Sequence, residues 1–234
     1  AYTDIIYQRI LSTPLKSRRY KYSDLGYYFV RKIIQEKSGK QLDDFAMDEL
    51  YLPMGLKHLR YNPLDHFSLK EITPTENDTI FRKQLVHGYV HDQGAAMIGG
   101  VGGHAGLFSN ASDLAGLMQM FLNKGSYGGV QYVDPEVISE YTKCQHCPKN
   151  RRGAGFDKPT VNRKGGPTTN KVSLASYGHS GFTGTLVWAD PTHEVNYVFL
   201  SNRVYPNAEN WKIISMNIRT DIQRVIYEAL EQAN

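Results

Sequence analysis

One stretch of the C-terminal third constrains this chain more than any other. Residues 177–184 read Tyr-Gly-His-Ser-Gly-Phe-Thr-Gly, and Thr-Leu-Val-Trp-Ala-Asp-Pro follows them. Glycine has no β-carbon, so another backbone or a substrate can approach the main chain closely. Backbone N–H groups, together with His and Ser side chains, can hydrogen-bond a scissile carbonyl group. The stretch therefore predicts either an acyl-transfer site beside a strand or a glycine-interrupted strand of an ordinary sheet.

Apolar residues at helical spacing predict several helices. Ser23 and Ser112 are candidate N-caps, and Asp134-Pro135 has proline in its favoured first-turn position. Gly39 and Gly125 are candidate helix ends. The predicted helices cover residues 24–38, 42–50, 113–124, 135 onward and 210–233. Residues 61–110 have no sustained period, and residues 148–172 are predicted to form an exposed loop.

Two strands are predicted at residues 183–189 and 195–201, joined by a hairpin turn at residues 190–194. The C-terminal helix should cover them with one apolar side. That side consists of Ile214, Ile218, Ile222, Val225 and Leu230. Helices, a hairpin and a covering helix predict an α+β fold whose sheet is largely antiparallel.

Composition excludes several classes of function. No apolar run approaches 18 residues, so no membrane span is predicted. The net charge is +4, and the local basic excess lacks the interleaved aromatic residues of a nucleic-acid site. We interpret it as a solvated basic loop. Its members are Lys149, Arg151, Arg152, Lys158, Arg163, Lys164 and Lys171.

No metal or cofactor is predicted. Cys144 and Cys147 form a single Cys-x-x-Cys, which could be a disulfide, a redox couple, half of a zinc site or ordinary loop residues. His87 and His91 have the spacing of metal ligands on a helix, but Gly88 makes that helix doubtful. The glycine-rich run at residues 99–106 lacks the Lys-Ser/Thr ending of a phosphate-binding loop. Close packing of backbone against backbone explains its glycines more simply.

Three motifs in order carry a family resemblance. They are Tyr22-Ser23-Asp24, the run from His87 to Phe108 with Gly-Gly-Val-Gly-Gly-His-Ala-Gly-Leu-Phe-Ser, and Gly-His-Ser-Gly-Phe-Thr-Gly at residues 178–184. Together they resemble the serine β-lactamase-related family, which includes penicillin-binding proteins, class C β-lactamases and esterases. The module fused to glycoside hydrolases in some bacteria is the most similar in pattern. Asn202-Arg203-Val204-Tyr205-Pro206 strengthens the resemblance.

The resemblance implies roles for particular residues. Tyr22 matches the tyrosine that acts as a general base or proton relay. Ser23, Asp24, Ser180 and Gly181 match substrate-binding positions, and His179 replaces the lysine of Lys-Thr-Gly. Because an imidazole carries its charge only conditionally, neutral esters or amides become more plausible substrates than anionic β-lactams. The Phe182 N–H would be one oxyanion-hole donor. Asp24, in place of the asparagine common in class C enzymes, weakens the case for β-lactam turnover.

The family's nucleophile motif is missing from this sequence. Ser-x-x-Lys should precede the tyrosine motif, yet no lysine of this chain has a serine three positions before it. Ser180 is a poor substitute, because a nucleophile elbow needs glycine two positions later and a helix after it. The resemblance thus implies an enzyme whose nucleophile comes from an upstream segment of the same protein, with this chain inactive alone. A non-catalytic module that binds glycan or peptidoglycan is the alternative.

By resemblance we expect the β-lactamase/transpeptidase-like fold with its N-terminal strands missing. A helical, loop-rich subdomain is expected at about residues 20–175, with the strand hairpin and C-terminal helix of the sheet subdomain at about residues 176–234. The expected substrate is a small ester, an amide or a peptidoglycan-like compound. The resemblance also implies a bacterial protein of the periplasm or cell envelope.

Overall fold

A computed structural model describes residues 2–17, 19–161 and 165–233. Arg163 and Lys164 of the basic stretch lie outside this described part of the chain. The polypeptide divides into two compact units, residues 1–109 and 110–234. The division into subdomains near residue 175 stays a prediction.

The described residues of the first unit contain four α-helices and two short 3-10 helices, Pro63–Asp65 and Leu69–Glu71. The α-helices are α1 (Thr3–Ser12), α2 (Leu25–Ser38), α3 (Leu42–Ala46), which continues as a π-helical turn at Met47–Tyr51, and α4 (Gln93–Met97). The predicted end of α2 is confirmed: Gly39 has φ 72° and its N–H donates to the Gln35 carbonyl at 3.0 Å. The sequence reasoning missed α1. Its Tyr7 packs with Tyr28 of α2 and Ile98 in a small buried core.

Residues 61–110 are more ordered than expected. Strands β1 (Pro74–Asp78) and β2 (Gln84–His87) form an antiparallel hairpin. Asp78 holds its turn by accepting hydrogen bonds from the backbone N–H groups of residues 80–82, at 2.8 to 2.9 Å. Arg82 donates onward to the Val90 carbonyl at 2.7 Å. The prediction of no regular element here was wrong, because polar strand residues such as Thr75 and Glu76 give no alternating pattern.

The second unit begins with α5 (Ala111–Leu122) and α6 (Pro135–Thr142), separated by the short strands β3 (Ser126–Tyr127) and β4 (Val130–Gln131). Asn110, not Ser112, caps α5, and its side chain accepts from the Asp113 N–H at 2.8 Å. The predicted start of α6 is confirmed. The Asp134 side chain accepts from the Glu136 N–H at 2.7 Å.

An antiparallel sheet of three strands forms the centre of the second unit. Its order is β5 (Tyr177–Ser180), β6 (Leu186–Asp190) and β7 (Val195–Phe199). The hairpin of β6 and β7 is as predicted, with shorter strands, and the glycine-rich motif itself supplies the third strand. Leu186, Trp188 and Tyr197 pack with Val172 and Tyr227 in the buried core.

The C-terminal helix differs from the prediction in two ways: it is divided in two, and a different side of it is buried. Helices α7 (Lys212–Ser215) and α8 (Ile218–Ala233) are separated at Asn217, which has φ 53°. Gln223 and Tyr227 are the buried residues of α8, whereas Ile222 and Val225 are exposed. The apolar side that the sequence predicted to be buried is thus exposed within this chain, and Tyr227 packs against the sheet instead. No helix in the described ranges is long and apolar enough to cross a membrane.

The predicted exposed loop at residues 148–172 is partly buried. Asp157, Lys158, Thr168, Thr169 and Val172 are all buried. Asp157 forms ion pairs with Arg151 and Arg152, and the Thr169 N–H donates to the Gln223 side chain at 3.0 Å. Paired charges and satisfied amides allow such a polar segment to pack inside. Just before it, Cys144 and Cys147 form a disulfide, one of the alternatives left open above.

Candidate functional site

Tyr22, Ser23 and Asp24 form the entrance to α2. The Ser23 hydroxyl accepts from the Leu25 N–H at 3.2 Å, and the Asp24 carbonyl accepts from the Tyr27 N–H at 2.9 Å. Asp24, which directly precedes α2, has helical dihedral angles and no side-chain cap bond, so the predicted residue Ser23 makes the capping hydrogen bond. Tyr22 is 54% exposed. The three motif residues thus stand at the surface on a fixed helix start.

The glycine-rich run packs closely against this helix. A β-carbon on Gly103 would lie 2.5 Å from the Tyr27 carbonyl oxygen, and one on Gly106 would clash with the Gly100 carbonyl oxygen. His104 stacks on the Tyr28 ring, with 4.7 Å between ring centroids, and its Nε2 lies 3.0 Å from Asp92 Oδ1. Close backbone packing therefore explains Gly103 and Gly106, as expected from the sequence, whereas Gly99 has open space around it and is in a left-handed conformation, with φ 91°.

The Asp92–His104 pair was not singled out in the sequence. Asp92 also caps α4 by accepting from the Ala95 N–H at 2.7 Å. The hydrogen bond from His104 holds the pKa of Asp92 below its ordinary value against the effect of burial. Burial and the charge of Asp92 raise the pKa of the Tyr28 phenol. A histidine and an aspartate 12 positions apart in a glycine-rich loop give no periodic pattern, so only the fold reveals this pair.

Strand β5 carries the motif Tyr-Gly-His-Ser. Gly178 lies opposite Trp188 of β6. A β-carbon on Gly178 would clash with the Val187 carbonyl oxygen. On its other edge, Gly178 exchanges two backbone hydrogen bonds with Asp157, at 2.7 and 3.1 Å. Only glycine fits this position. The outer edge of β5 is thus covered at Gly178, while the next two residues, His179 and Ser180, stay paired with Val187 and Leu186 of β6.

A tight turn follows β5 and presents Phe182. The Gly181 N–H donates to the Thr185 carbonyl at 2.9 Å, and the Gly184 N–H donates to the Gly181 carbonyl at 3.0 Å. Arg203 stabilises the turn, because its Nε donates a hydrogen bond to the Phe182 carbonyl at 2.8 Å. Its guanidinium lies 4.4 Å from the Phe182 ring centroid and 3.7 Å from that of Trp211. A strand follows this turn instead of a helix, which does not fit a nucleophile elbow at Ser180.

His179 has a defined tautomer when neutral. Its Nδ1 lies 2.8 Å from the Ser180 carbonyl oxygen, which can only accept, so Nδ1 carries the proton. The acceptor lone pair of the neutral ring is then on Nε2. A protonated ring would donate from both nitrogens.

Asp190 at the end of β6 is a structural centre that sequence reasoning read only as a turn residue. It is fully buried and accepts six hydrogen bonds, from Ser173, Thr192, His193 and Tyr227. Burial opposes its ionisation, but the hydrogen bonds from Ser173, His193 and Tyr227 outweigh it and lower the pKa of Asp190. Burial and the bond to Asp190 raise the pKa of Tyr227. This network fixes β6, on which the motif strand β5 is paired.

The structure brings four predicted site residues together. His179, Ser180, Gly181 and Phe182 occupy the end of β5 and its turn in the second unit. Tyr22, Ser23 and Asp24 belong to the first unit, and their position beside His179 stays a prediction. Of the doubtful metal candidates, His87 Nε2 bonds the Ile72 carbonyl at 2.6 Å, and His91 lies 3.5 Å from Glu76. Neither residue is on a helix.

Comparison with known proteins agrees with this architecture. The model of the β-lactamase family matches residues 4–213. A protein of Salmonella enteritidis PT4 named "Putative D-alanyl-D-alanine carboxypeptidase" is 36% identical over 225 residues, which cover 88% of this chain and 51% of that protein.

Solved structures show the same fold. A β-lactamase from Mycobacterium bovis superposes with a TM-score of 0.60 at 18% identity, covering 89% of this chain and 65% of that one. A penicillin-binding protein homologue from Caulobacter crescentus gives 0.55 at 21% identity, covering 81% and 54%. The β-lactamase/transpeptidase-like fold expected from the resemblance is confirmed. The chain spans about half the length of the curated relatives it matches, and it belongs to the β-lactamase family.

Proposed function

We propose that this chain supplies part of the active site of a serine acyl hydrolase that works through an acyl-enzyme. The observation that carries the proposal is the geometry of residues 179–182. A short strand delivers an imidazole and a hydroxyl to its end, and a turn anchored by Arg203 then presents the Phe182 backbone. An acyl-transfer site needs such pre-positioned donors beside the scissile carbonyl.

Each motif residue has a proposed role. The Phe182 N–H donates to the developing oxyanion, and Ser180 and Gly181 line the path of the substrate backbone. Tyr22 takes a proton from the nucleophile and passes it to the leaving group, which requires nearby positive charge because an ordinary phenol keeps its proton at neutral pH. Ser23 and Asp24 hydrogen-bond the substrate beside it.

The nucleophile is proposed to come from an upstream part of the protein, in a Ser-x-x-Lys motif. Two features of the second unit support additional structure there. β7 is an edge strand of the three-stranded sheet. Val225 and Ile222 of α8 are exposed by 57% and 43%. Further strands beside β7 and against α8 would pair the edge and cover these apolar groups.

The name of the Salmonella relative gives a first substrate to test, a peptide that ends in D-alanyl-D-alanine. His179 in place of lysine also favours neutral esters and amides. We propose that the D-alanyl peptide is cleaved, by likeness to that relative, and that a neutral ester, which needs no lysine charge for its binding, is cleaved as well. The second candidate is a non-catalytic module that binds peptidoglycan, which is favoured by the lack of Ser-x-x-Lys in these 234 residues.

Expression of the complete reading frame tests the proposal. Release of D-alanine from a diacyl-lysyl-D-alanyl-D-alanine peptide and hydrolysis of a chromogenic ester should both be measured. Tyr22→Phe should lower both rates at least 100-fold, as expected for a lost general base. Tyr20→Phe, another exposed tyrosine two positions away, should leave them unchanged.

Covalent labelling separates the two candidates. A fluorescent penicillin or fluorophosphonate should label the complete protein and not the 234-residue chain. A complete protein that binds peptidoglycan but releases no D-alanine, cleaves no ester and takes no label would support the binding module. Labelling of Ser180 in the isolated chain would refute our assignment of the nucleophile.

A further inference from the structure

A cavity in the second unit is lined by none of the motif residues 179–182. Its volume is about 370 Å³, within the range of about 300–1,000 Å³ typical of small-molecule pockets. The end of α5, residues of α6 that include its buried Ile138 and Thr142, and residues 174–177 line it. Leu122, Ile138 and Leu174 make its wall largely apolar. We refer to it as the Lys158 groove.

Lys158 is the unusual member of this wall. Only 5% of the residue is exposed, and Nζ donates to the Ala175 carbonyl at 2.8 Å. Nζ also lies 5.6 Å from the centre of the Tyr177 ring. Within the described part of the chain, no carboxylate oxygen lies within 4 Å of this ammonium group. An ammonium group has three donors and needs a counter-charge when it is buried.

The charged side chains that line the groove are all positive. Lys124 and Lys143 stand on its rim, and no acidic side chain belongs to its lining. Lys143 is already paired with Glu140, and Lys124 is exposed to solvent. Lys158 is therefore the buried cation of this lining for which the described residues provide no carboxylate partner. Burial lowers the pKa of Lys158 to about 8, although the more distant Asp190 acts in the opposite direction. The amine is thus mostly charged at pH 7 and would gain from an anionic ligand.

We propose that the Lys158 groove binds an amphiphilic monocarboxylate, whose carboxylate pairs with Lys158 Nζ and whose apolar chain lies against Leu122, Ile138 and Leu174. The carboxylate supplies the counter-charge that the protein does not provide, and the apolar chain excludes water from the groove wall. This inference does not depend on the acyl hydrolase proposal, because it uses no residue of that site.

Isothermal titration of the 234-residue chain with decanoate and with decanol tests the charge requirement. Decanoate should bind at least ten-fold more tightly than decanol at pH 7. Lys158→Met keeps the length of the side chain without its charge and should weaken decanoate binding at least ten-fold. Lys149→Met, an exposed lysine outside the groove, should not change it. Equal affinity for decanol, unchanged binding by K158M, or no decanoate binding at millimolar concentration would overturn the proposal.

A second pair of variants keeps the test decisive if K158M fails to fold. Leu174 is 48% exposed, so Leu174→Glu adds a negative charge to the groove wall at little cost to the fold. It should weaken decanoate binding at least ten-fold. Val225→Glu adds the same charge to the exposed face of α8 and should leave binding unchanged. Loss of binding in V225E with retention in L174E would place the ligand on α8 and refute the groove.

Discussion

Replacement of Asp190 by asparagine should destabilise the fold strongly, because of how the six hydrogen bonds are divided. One carboxylate oxygen accepts from the Ser173 N–H at 2.8 Å, from His193 Nδ1 at 2.9 Å and from the Tyr227 hydroxyl at 2.8 Å. The other accepts from the Ser173 hydroxyl at 2.6 Å and from the N–H groups of Thr192 and His193 at 3.1 and 3.4 Å. All six partners are donors.

An asparagine side chain cannot satisfy this arrangement in either orientation. Hydroxyl groups and a histidine ring can switch from donor to acceptor, but a backbone N–H cannot. If the asparagine NH2 group takes the first oxygen position, it points at the Ser173 N–H, and two donors oppose each other. If the amide is flipped, the NH2 group opposes the backbone N–H groups of Thr192 and His193. One unsatisfied buried donor costs about 1–3 kcal/mol, and the charge assistance of the remaining bonds is also lost. We expect Asp190→Asn to lower the free energy of unfolding by about 2–4 kcal/mol.

Urea unfolding followed by circular dichroism and by fluorescence of the buried Trp188 measures this loss. Asp221→Asn is the matched control. Asp221 is an exposed aspartate of α8, and its Oδ1 lies 3.6 Å from Nε of the partly exposed Arg224, a long surface ion pair. The control substitution should change the free energy of unfolding by about 0.5 kcal/mol or less. A loss below about 1 kcal/mol for D190N, or equal losses for both variants, would refute the reasoning.

Three further predictions concern the same unit. The pKa of Asp190 is lower in the folded than in the unfolded protein. The ionised carboxylate should therefore stabilise the fold above about pH 4, and this contribution should be lost as the pH falls through the folded pKa. D190N should make the free energy of unfolding depend less on pH in this acid range. Lys158 has its pKa lowered from 10.5 to about 8, so the unfolded chain binds more protons between these values. Stability should therefore rise with pH across that window, by on the order of 2 kcal/mol after allowance for solvent screening, relative to K158M; equal slopes in urea titrations of the two proteins would contradict this. Gly178→Ala should cost roughly 2–4 kcal/mol because its β-carbon meets the backbone of Val187 and Trp188, whereas Gly26→Ala, with open space in α2, should be neutral or stabilising, as urea midpoints would reveal.

Elements with strong local signals could be predicted from the sequence. Asp134-Pro135 specified the start of α6, and Gly39 specified the end of α2, because capping depends on the residues themselves. The order of the three motifs was enough to identify the family. The motif strand β5 was harder to assign, since four residues with a glycine inside them have no measurable period.

Elements that depend on tertiary contacts could not be predicted. The face of α8 was assigned from its isoleucines, but the structure buries Gln223 and Tyr227, which bond Thr169 and Asp190. A polar residue can be buried when a partner far away in the sequence satisfies its hydrogen bonds. The local sequence pattern does not identify that partner. Lys158 was assigned to an exposed basic loop for the same reason. Its carbonyl partner at Ala175 lies 17 positions away.

We propose that Tyr22 and the end of β5 serve one active site. A crystal structure of the complete protein with a D-alanyl-D-alanine peptide or a peptide boronate bound tests it most directly. We predict that the Tyr22 hydroxyl and the Phe182 N–H both lie about 3 Å from the ligand, directly or through one water, on either side of the reacting group. A ligand bound at the end of β5 with the Tyr22 hydroxyl on a remote surface would contradict the account.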